Sequence, residues 1–205
     1  MKTILFQGDS ITDACRSYED DNNMGIGYPL LVSSELKLDY PEEYVTYNRG
    51  ISGNRIVDLY ARIKIHFINM KPDVLSILIG VNDAWHDIWH DNGVDAEKFY
   101  KIYAMLIEEI KEALPDVRIM IMEPFVLKGT ATEEAWEEFK VEVAKRAQKA
   151  RLIAEKYNLE FIPLQEKFDE AAKIAPNDYW LRDGVHPTSA GHEIIKREWL
   201  KQFHG

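Results

Sequence analysis

Three short runs, Ile4-Leu5-Phe6, Val74-Leu75-Ser76-Ile77-Leu78-Ile79 and Ile119-Met120-Ile121-Met122, are almost unbroken in apolar residues. A strand with one wet face alternates apolar and polar positions, whereas a strand covered on both faces does not, so these runs point to strands buried between helices in a parallel sheet. Five β-rich segments recur along the chain, at about Thr3–Gln7, Tyr44–Asn48, Val74–Ile79, Arg118–Met122 and Glu160–Pro163, with helical patterns between them. The alternation predicts an α/β chain folded as a three-layer α/β/α sandwich. Helix ends are legible too. Asp95 is placed to cap a helix running to about Ala113, where Leu114-Pro115 stops it, and Thr132 to cap another reaching about Tyr157, striped by Val143, Ala147, Ala150 and Ala154. Arg16–Gly27 and Lys128–Thr132 read as surface loops. The 205 residues show no repeat or linker, so residues 1–205 are expected to form one domain able to bury its own core.

The formal charge of −10 repels phosphate backbones and anionic lipid, so neither nucleic acid nor a membrane is an expected partner. Lys145, Arg146, Lys149 and Arg151 form the densest basic cluster, but within a glutamate-rich helix they read as a solvated face. A lone cysteine, Cys15, leaves no intramolecular disulfide, and the opening MKTILFQGDS has no apolar stretch of signal-peptide length; both suggest the cytoplasm.

Open parallel sheets bind ligands beyond the carboxyl ends of their strands. Gly8-Asp9-Ser10 follows the first strand, Arg49 to Asn54 the second and Gly80-Val81-Asn82-Asp83 the third, while Arg182-Asp183-Gly184-Val185-His186-Pro187 lies near the C-terminus. A serine hydroxyl becomes a useful nucleophile only beside a base whose tautomer is held. Ser10 and His186 can form that pair, and Asp183, three residues before His186 with Gly184 between, can orient the base from the same loop. The backbone N–H groups of Ser10 and Gly53 and the side-chain amide of Asn82 are candidate donors to an oxyanion. Asp9 reads as a turn residue accepting backbone N–H bonds.

The blocks FQGDSITD, NRGISGNR, IGVNDAW and RDGVHPTSAGH, in that order, resemble the four sequence blocks of the SGNH-hydrolase, or GDSL esterase, family, and the resemblance spans nearly the whole chain. It implies Ser10 as nucleophile, Asp183 and His186 as the rest of the catalytic triad, and an oxyanion hole made by Ser10, Gly53 and Asn82. It further implies a flavodoxin-like five-stranded parallel sheet of order 2-1-3-4-5 and no cofactor; no metal is expected either. The wording is most similar to bacterial acetylxylan esterases and related carbohydrate acetylesterases, which implies a small acylated substrate such as an acetylated sugar and allows for a homo-oligomer.

Other readings compete at particular positions. Trp85, Trp180, Tyr28 and Arg55 are candidate substrate contacts, each with a packing or surface role as its alternative. His86-Asp87-Ile88-Trp89-His90 has the four-residue histidine spacing of a zinc pair, but Asp is shorter than the Glu of the metalloprotease pattern, no third ligand follows at a set spacing, and the segment can be a loop. Cys15 lacks a glycine-bounded turn and reads as a partly buried structural thiol, and His192 as a helix residue with no assigned role. A thioesterase or lysophospholipase would need an apolar trough, for which Ile51, Trp85, Trp89 and Phe125 are candidates. A noncatalytic module binding phosphate or nucleotide through Gly8–Ser10 is the alternative of another class, although neither dinucleotide nor P-loop glycine patterns are present.

Overall fold

The computed structural model describes residues 1–205. Strands β1 (Lys2–Gly8), β2 (Tyr44–Asn48), β3 (Val74–Leu78), β4 (Arg118–Met122) and β5 (Glu160–Ile162) form one sheet in the order β2-β1-β3-β4-β5. All four pairings are parallel; Phe6 lies between Asn48 of β2 and Ser76 of β3. The chain passes from β1 outward to β2 and then back across to β3, so the connections leaving β1 and β3 diverge over opposite faces and open a crevice at their carboxyl ends.

The strand residues sort by parity, as a period of two requires. Ile4, Phe6, Val74, Leu78, Met120 and Met122 pack against α2 (Tyr28–Asp39) and α10 (Ser189–His204) on one face. Leu5, Leu75, Ile77, Ile119 and Ile121 pack on the other against α3 (Ile56–Ala61), α4 (Ile63–His66) and α6 (Ala96–Ala113). The long α7 (Trp136–Tyr157) gives Phe139 and Val143 to the first core and Ala150, Ile153 and Ala154 to the second. Ser76, the polar residue inside an apolar run, is buried but satisfied: it accepts from the Trp199 indole N–H at 3.0 Å and its hydroxyl lies 3.3 Å from the Met122 sulfur. The short helices α1 (Ser10–Asp13), α5 (Val81–His90), α8 (Gln165–Ala171) and α9 (Asn177–Trp180) complete the fold. No helix is long and apolar enough to cross a membrane.

The Asp95 carboxylate caps α6 through the Lys98 amide at 2.9 Å. Thr132, expected to cap the next helix, does not. Its hydroxyl turns back to accept from the Gly129 amide and donate to the Leu127 carbonyl, a short 3-10 turn follows at Glu133–Ala135, and α7 begins only at Trp136. The two segments read as surface loops are anchored rather than free: Thr132, Arg16 and Met24 are all buried. His86 to His90 lies not in a loop but on α5, whose helical turn begins directly after β3.

Candidate active site

Ser10 opens α1, so its N–H has no carbonyl to reach within the helix. Asp9 is the N-cap: its Oδ1 accepts from the Ile11 amide at 3.0 Å, while its buried Oδ2 has no partner. Burial pushes the Asp9 carboxyl up to about 7, against the opposing pull of the Ile11 amide and of His186. The carboxyl behind the serine is therefore harder to ionise than an ordinary aspartate.

The Ser10 hydroxyl is 3.0 Å from His186 Nε2, and His186 Nδ1 is 2.7 Å from Asp183 Oδ2. The other Asp183 oxygen accepts from the backbone amides of Val185 and His186 at 3.0 and 2.8 Å. Burial by itself would raise the Asp183 carboxyl, but these bonds outweigh it and hold the group well below the usual carboxylate range. A 2.7 Å contact to a permanent carboxylate keeps the Nδ1 proton in place and leaves Nε2 as the acceptor facing Ser10. Gly184 makes the turn possible, with φ +97 and a position where a Cβ would meet the Leu127 carbonyl oxygen at 2.5 Å. The 127–132 segment grips this loop from behind through Leu127 N–H to Gly184 O and Ala131 N–H to Asp183 O.

The block after β2 is pinned to α1 by Asp13, which sequence reasoning passed over. Its Oδ2 accepts from the Ser52 amide at 3.0 Å, the Ser52 hydroxyl at 2.8 Å and the Tyr18 hydroxyl at 2.5 Å. Asn48 is a second missed anchor, donating to the carbonyls of Thr12 and Met24 and accepting from the Gly50 amide. Both sit inside or beside the motif blocks, and only the strand-end position of Asn48 offered a signal. Gly53 follows Ser52 in the left-handed region with open space around it. Asn82, at the start of α5, donates to the Asn54 carbonyl at 3.1 Å and so joins the β2 block to the β3 block. Its neighbour Asp83 points the other way, accepting from the Ile56 amide at 3.0 Å, and burial pushes its carboxyl up to about 8.

Two cavities of about 360 and 370 Å³ meet at Ser10 and His186. Ser52, Gly53, Asn82 and Trp85 line one; Ile26, Pro187 and His192 line the other; Cys15 and Arg182 border both. Of the four candidate substrate contacts, Trp85 alone reaches this space. Tyr28 is fully buried in the core with its hydroxyl 3.0 Å from Thr12 Oγ1. Arg55 is tied to Asp58 and to the Asn92 carbonyl, and Trp180 lines a separate cavity beside Ile174 and Ile194. Cys15 is exposed at the cavity rim, not partly buried, because α1 ends at Ala14 and Cys15 in consecutive left-handed conformations that turn it outward. His192 has a place after all: its Nδ1 accepts from the Tyr28 amide at 3.1 Å, and burial, reinforced by the charges of Arg182 and His186, brings it down to about 4.

The apolar trough does not assemble. Phe125 stacks on Phe168 inside the core, Ile51 and Trp89 do not line the cavities at Ser10, and Trp85, which packs on Phe139 as Trp89 does, is the one of the four candidates that does. His86 and His90 present their rings edge to face at 5.4 Å, Asp87 between them faces Arg146, and no group of three or more metal-ligating side chains is found in the structure.

A parallel sheet whose switch-point crevice carries serine, histidine and aspartate in hydrogen-bond sequence has the layout of an ester hydrolase. Residues 6–194 match the GDSL-like Lipase/Acylhydrolase family. The chain belongs to that family and is a carboxylic ester hydrolase. It is 32% identical to an acetylxylan esterase of Geobacillus stearothermophilus, the alignment covering 98% of this chain and 93% of the relative. The crystal structure of the acetylxylan esterase from that organism superposes with a TM-score of 0.88 at 31% identity, over 100% of this chain and 94% of the other. A protein from Parabacteroides merdae described as GDSL-like superposes with a TM-score of 0.94 at 37% identity, over 99% of this chain and 95% of the other. Among the structures of the Geobacillus enzyme are catalytic mutants with a serine or an aspartate replaced by alanine, and another variant in which the tryptophan immediately before that aspartate is replaced.

Proposed function

We propose that the protein removes small acyl groups, acetyl above all, from esterified sugars such as acetylated xylo-oligosaccharides, through an acyl-enzyme on Ser10. The observation that carries this reading is the continuous relay of 3.0 and 2.7 Å from Ser10 through His186 to Asp183. His186 Nε2 takes the hydroxyl proton as Ser10 Oγ attacks the ester carbonyl, and the imidazolium is stabilised by Asp183. The N–H groups of Ser10 and Gly53 and the Asn82 amide receive the developing oxyanion. Collapse returns the proton from His186 to the leaving sugar oxygen. Water, deprotonated by the same histidine, then releases the carboxylate and restores Ser10.

The small acyl group is supported by the cavity. Its wall beside the proposed oxyanion donors is Trp85, whereas Phe125 is buried in the core and neither Ile51 nor Trp89 lines the cavity. The sugar is supported by the similarity to an acetylxylan esterase along nearly the whole chain. A series of p-nitrophenyl esters from acetate to palmitate, run on wild type and Ser10→Ala, tests both parts. Acetate fastest and Ser10→Ala inactive are the expected results, with release of acetate from acetylated xylo-oligosaccharides to follow. A maximum at long chains would overturn the small-acyl reading, and wild-type turnover in Ser10→Ala would overturn the mechanism.

A further inference from the structure

Nine arginines occur in the chain. Arg49, Arg55, Arg118, Arg146 and Arg197 are ion-paired with carboxylates. Arg16 donates to the carbonyls of Gly50 and Ser17, Arg62 to Gln7, Asn54 and Gly8, and Arg151 lies 4.3 Å over the Phe161 ring. Arg182 alone has a side chain with no partner, and it stands exposed at the border of both cavities that meet at Ser10. Its backbone is fixed, since its N–H donates to the His186 carbonyl at 3.0 Å and Leu181 bridges Pro187. Every other residue lining the two cavities is neutral or a histidine, so Arg182 is their one permanent charge. In a protein of net charge −10, an unpaired guanidinium beside the nucleophile is the single local feature that would favour an anion there.

We propose that Arg182 makes the site selective for esters carrying a second, anionic group, a carboxylate held close to the scissile bond on either the sugar or the acyl part. The inference rests on Ser10 being the esterase nucleophile. It concerns preference and not chemistry: if Asp183 corresponds to the aspartate of the catalytic mutant, the Geobacillus enzyme has an uncharged tryptophan where this chain has Arg182. A cation at this place is therefore not part of the shared acyl-transfer machinery. A planar guanidinium can take a carboxylate through two parallel N–H bonds, which an ammonium or a neutral side chain cannot reproduce.

Two matched substrate pairs separate the sources of the carboxylate. Methyl acetylglucuronoside against methyl acetylglucoside, acetylated at the same hydroxyl, tests the sugar; p-nitrophenyl hemisuccinate against p-nitrophenyl butyrate tests the acyl group. In at least one pair the ratio of kcat/KM, anionic over neutral, is expected to fall about tenfold in Arg182→Gln, further in Arg182→Glu, and to be partly kept in Arg182→Lys. The wild-type ratio should also shrink as salt is raised from about 50 to about 500 mM. Ratios unchanged within about twofold in both pairs, with the neutral esters still cleaved, would overturn the inference and leave the esterase reading standing. Calorimetric binding of the two glucosides and of hemisuccinate amide to Ser10→Ala, with and without Arg182→Gln, needs no turnover. A preference for the anionic ligands that Arg182→Gln abolishes supports the anion-recognising role of Arg182 independently of turnover, and equal affinities in both proteins overturn it.

Discussion

Asp183→Asn isolates the orienting carboxylate from the loop it helps to build. In the native loop Asp183 Oδ1 accepts from the Val185 and His186 amides, and an asparagine oxygen can accept from both unchanged. Only the second arm differs: where a carboxylate oxygen now accepts from His186 Nδ1 at 2.7 Å, an NH₂ group would donate. His186 must then present Nδ1 as the acceptor and carry its proton on Nε2, 3.0 Å from the hydroxyl it is meant to deprotonate. The wrong tautomer and the loss of imidazolium stabilisation together correspond to a fall in kcat of about 10³–10⁴, or about 4–5.5 kcal/mol of barrier. The assay is kcat on p-nitrophenyl acetate from pH 5 to 9, with a thermal melt at each pH. Asp183 is held below its unfolded value, so it adds stability above about pH 4 that is lost as pH falls further. The Asn variant should accordingly lose less Tm than wild type between pH 5 and 3. Activity within tenfold of wild type would refute the tautomer argument, and a loss of activity matched by unfolding at pH 7 would refute the claim that the loop survives.

Gly53→Ala meets no neighbouring atom but forces a side chain into φ +82, so a cost of about 1–2 kcal/mol and a several-fold loss of kcat are expected, measured by urea titration and ester turnover. Asp83 is pushed up to about 8 by burial, so the folded chain keeps a proton that the unfolded chain releases, and its contribution to stability fades as pH rises from about 4 to 8. Asp83→Asn should reduce the fall in urea midpoint between pH 5 and pH 8, and an unaltered difference would contradict the buried-acid reading. Asp13→Ala removes the acceptor of Ser52 and Tyr18 from a buried position; a loss of about 3 kcal/mol is expected, with kcat falling more than KM rises, and an unchanged kcat would deny Asp13 any part in placing Gly53.

The strand runs and the residues following them were readable because both depend on short-range rules: which positions can be covered on two faces, and which residues form tight turns at strand ends. Ser10, Asp183 and His186 could be singled out for the same reason, since an acid, a glycine and a histidine within one turn restrict each other locally. Asp95 is legible as a cap because its partner Lys98 lies three residues away. Thr132 failed as a cap because its competing partners, Leu127 and Gly129, are supplied by a loop folded under the Asp183–His186 turn.

What tertiary structure alone decided is the identity of neighbours distant in sequence. Tyr28 went to the core and Trp85 to the cavity although both are aromatic candidates for the same site, because α2 packs its face on β1 and α5 emerges from the crevice. Phe125 could not line a trough once Phe168 claimed it, and Trp89 lies outside the cavity that its neighbour Trp85 reaches. Arg182 is one of nine arginines in the sequence and gains its distinction only when the other eight are seen to be occupied. Local chemistry fixes which groups can react; the packing of the two helical layers fixes which of the remaining side chains are left free to meet a substrate.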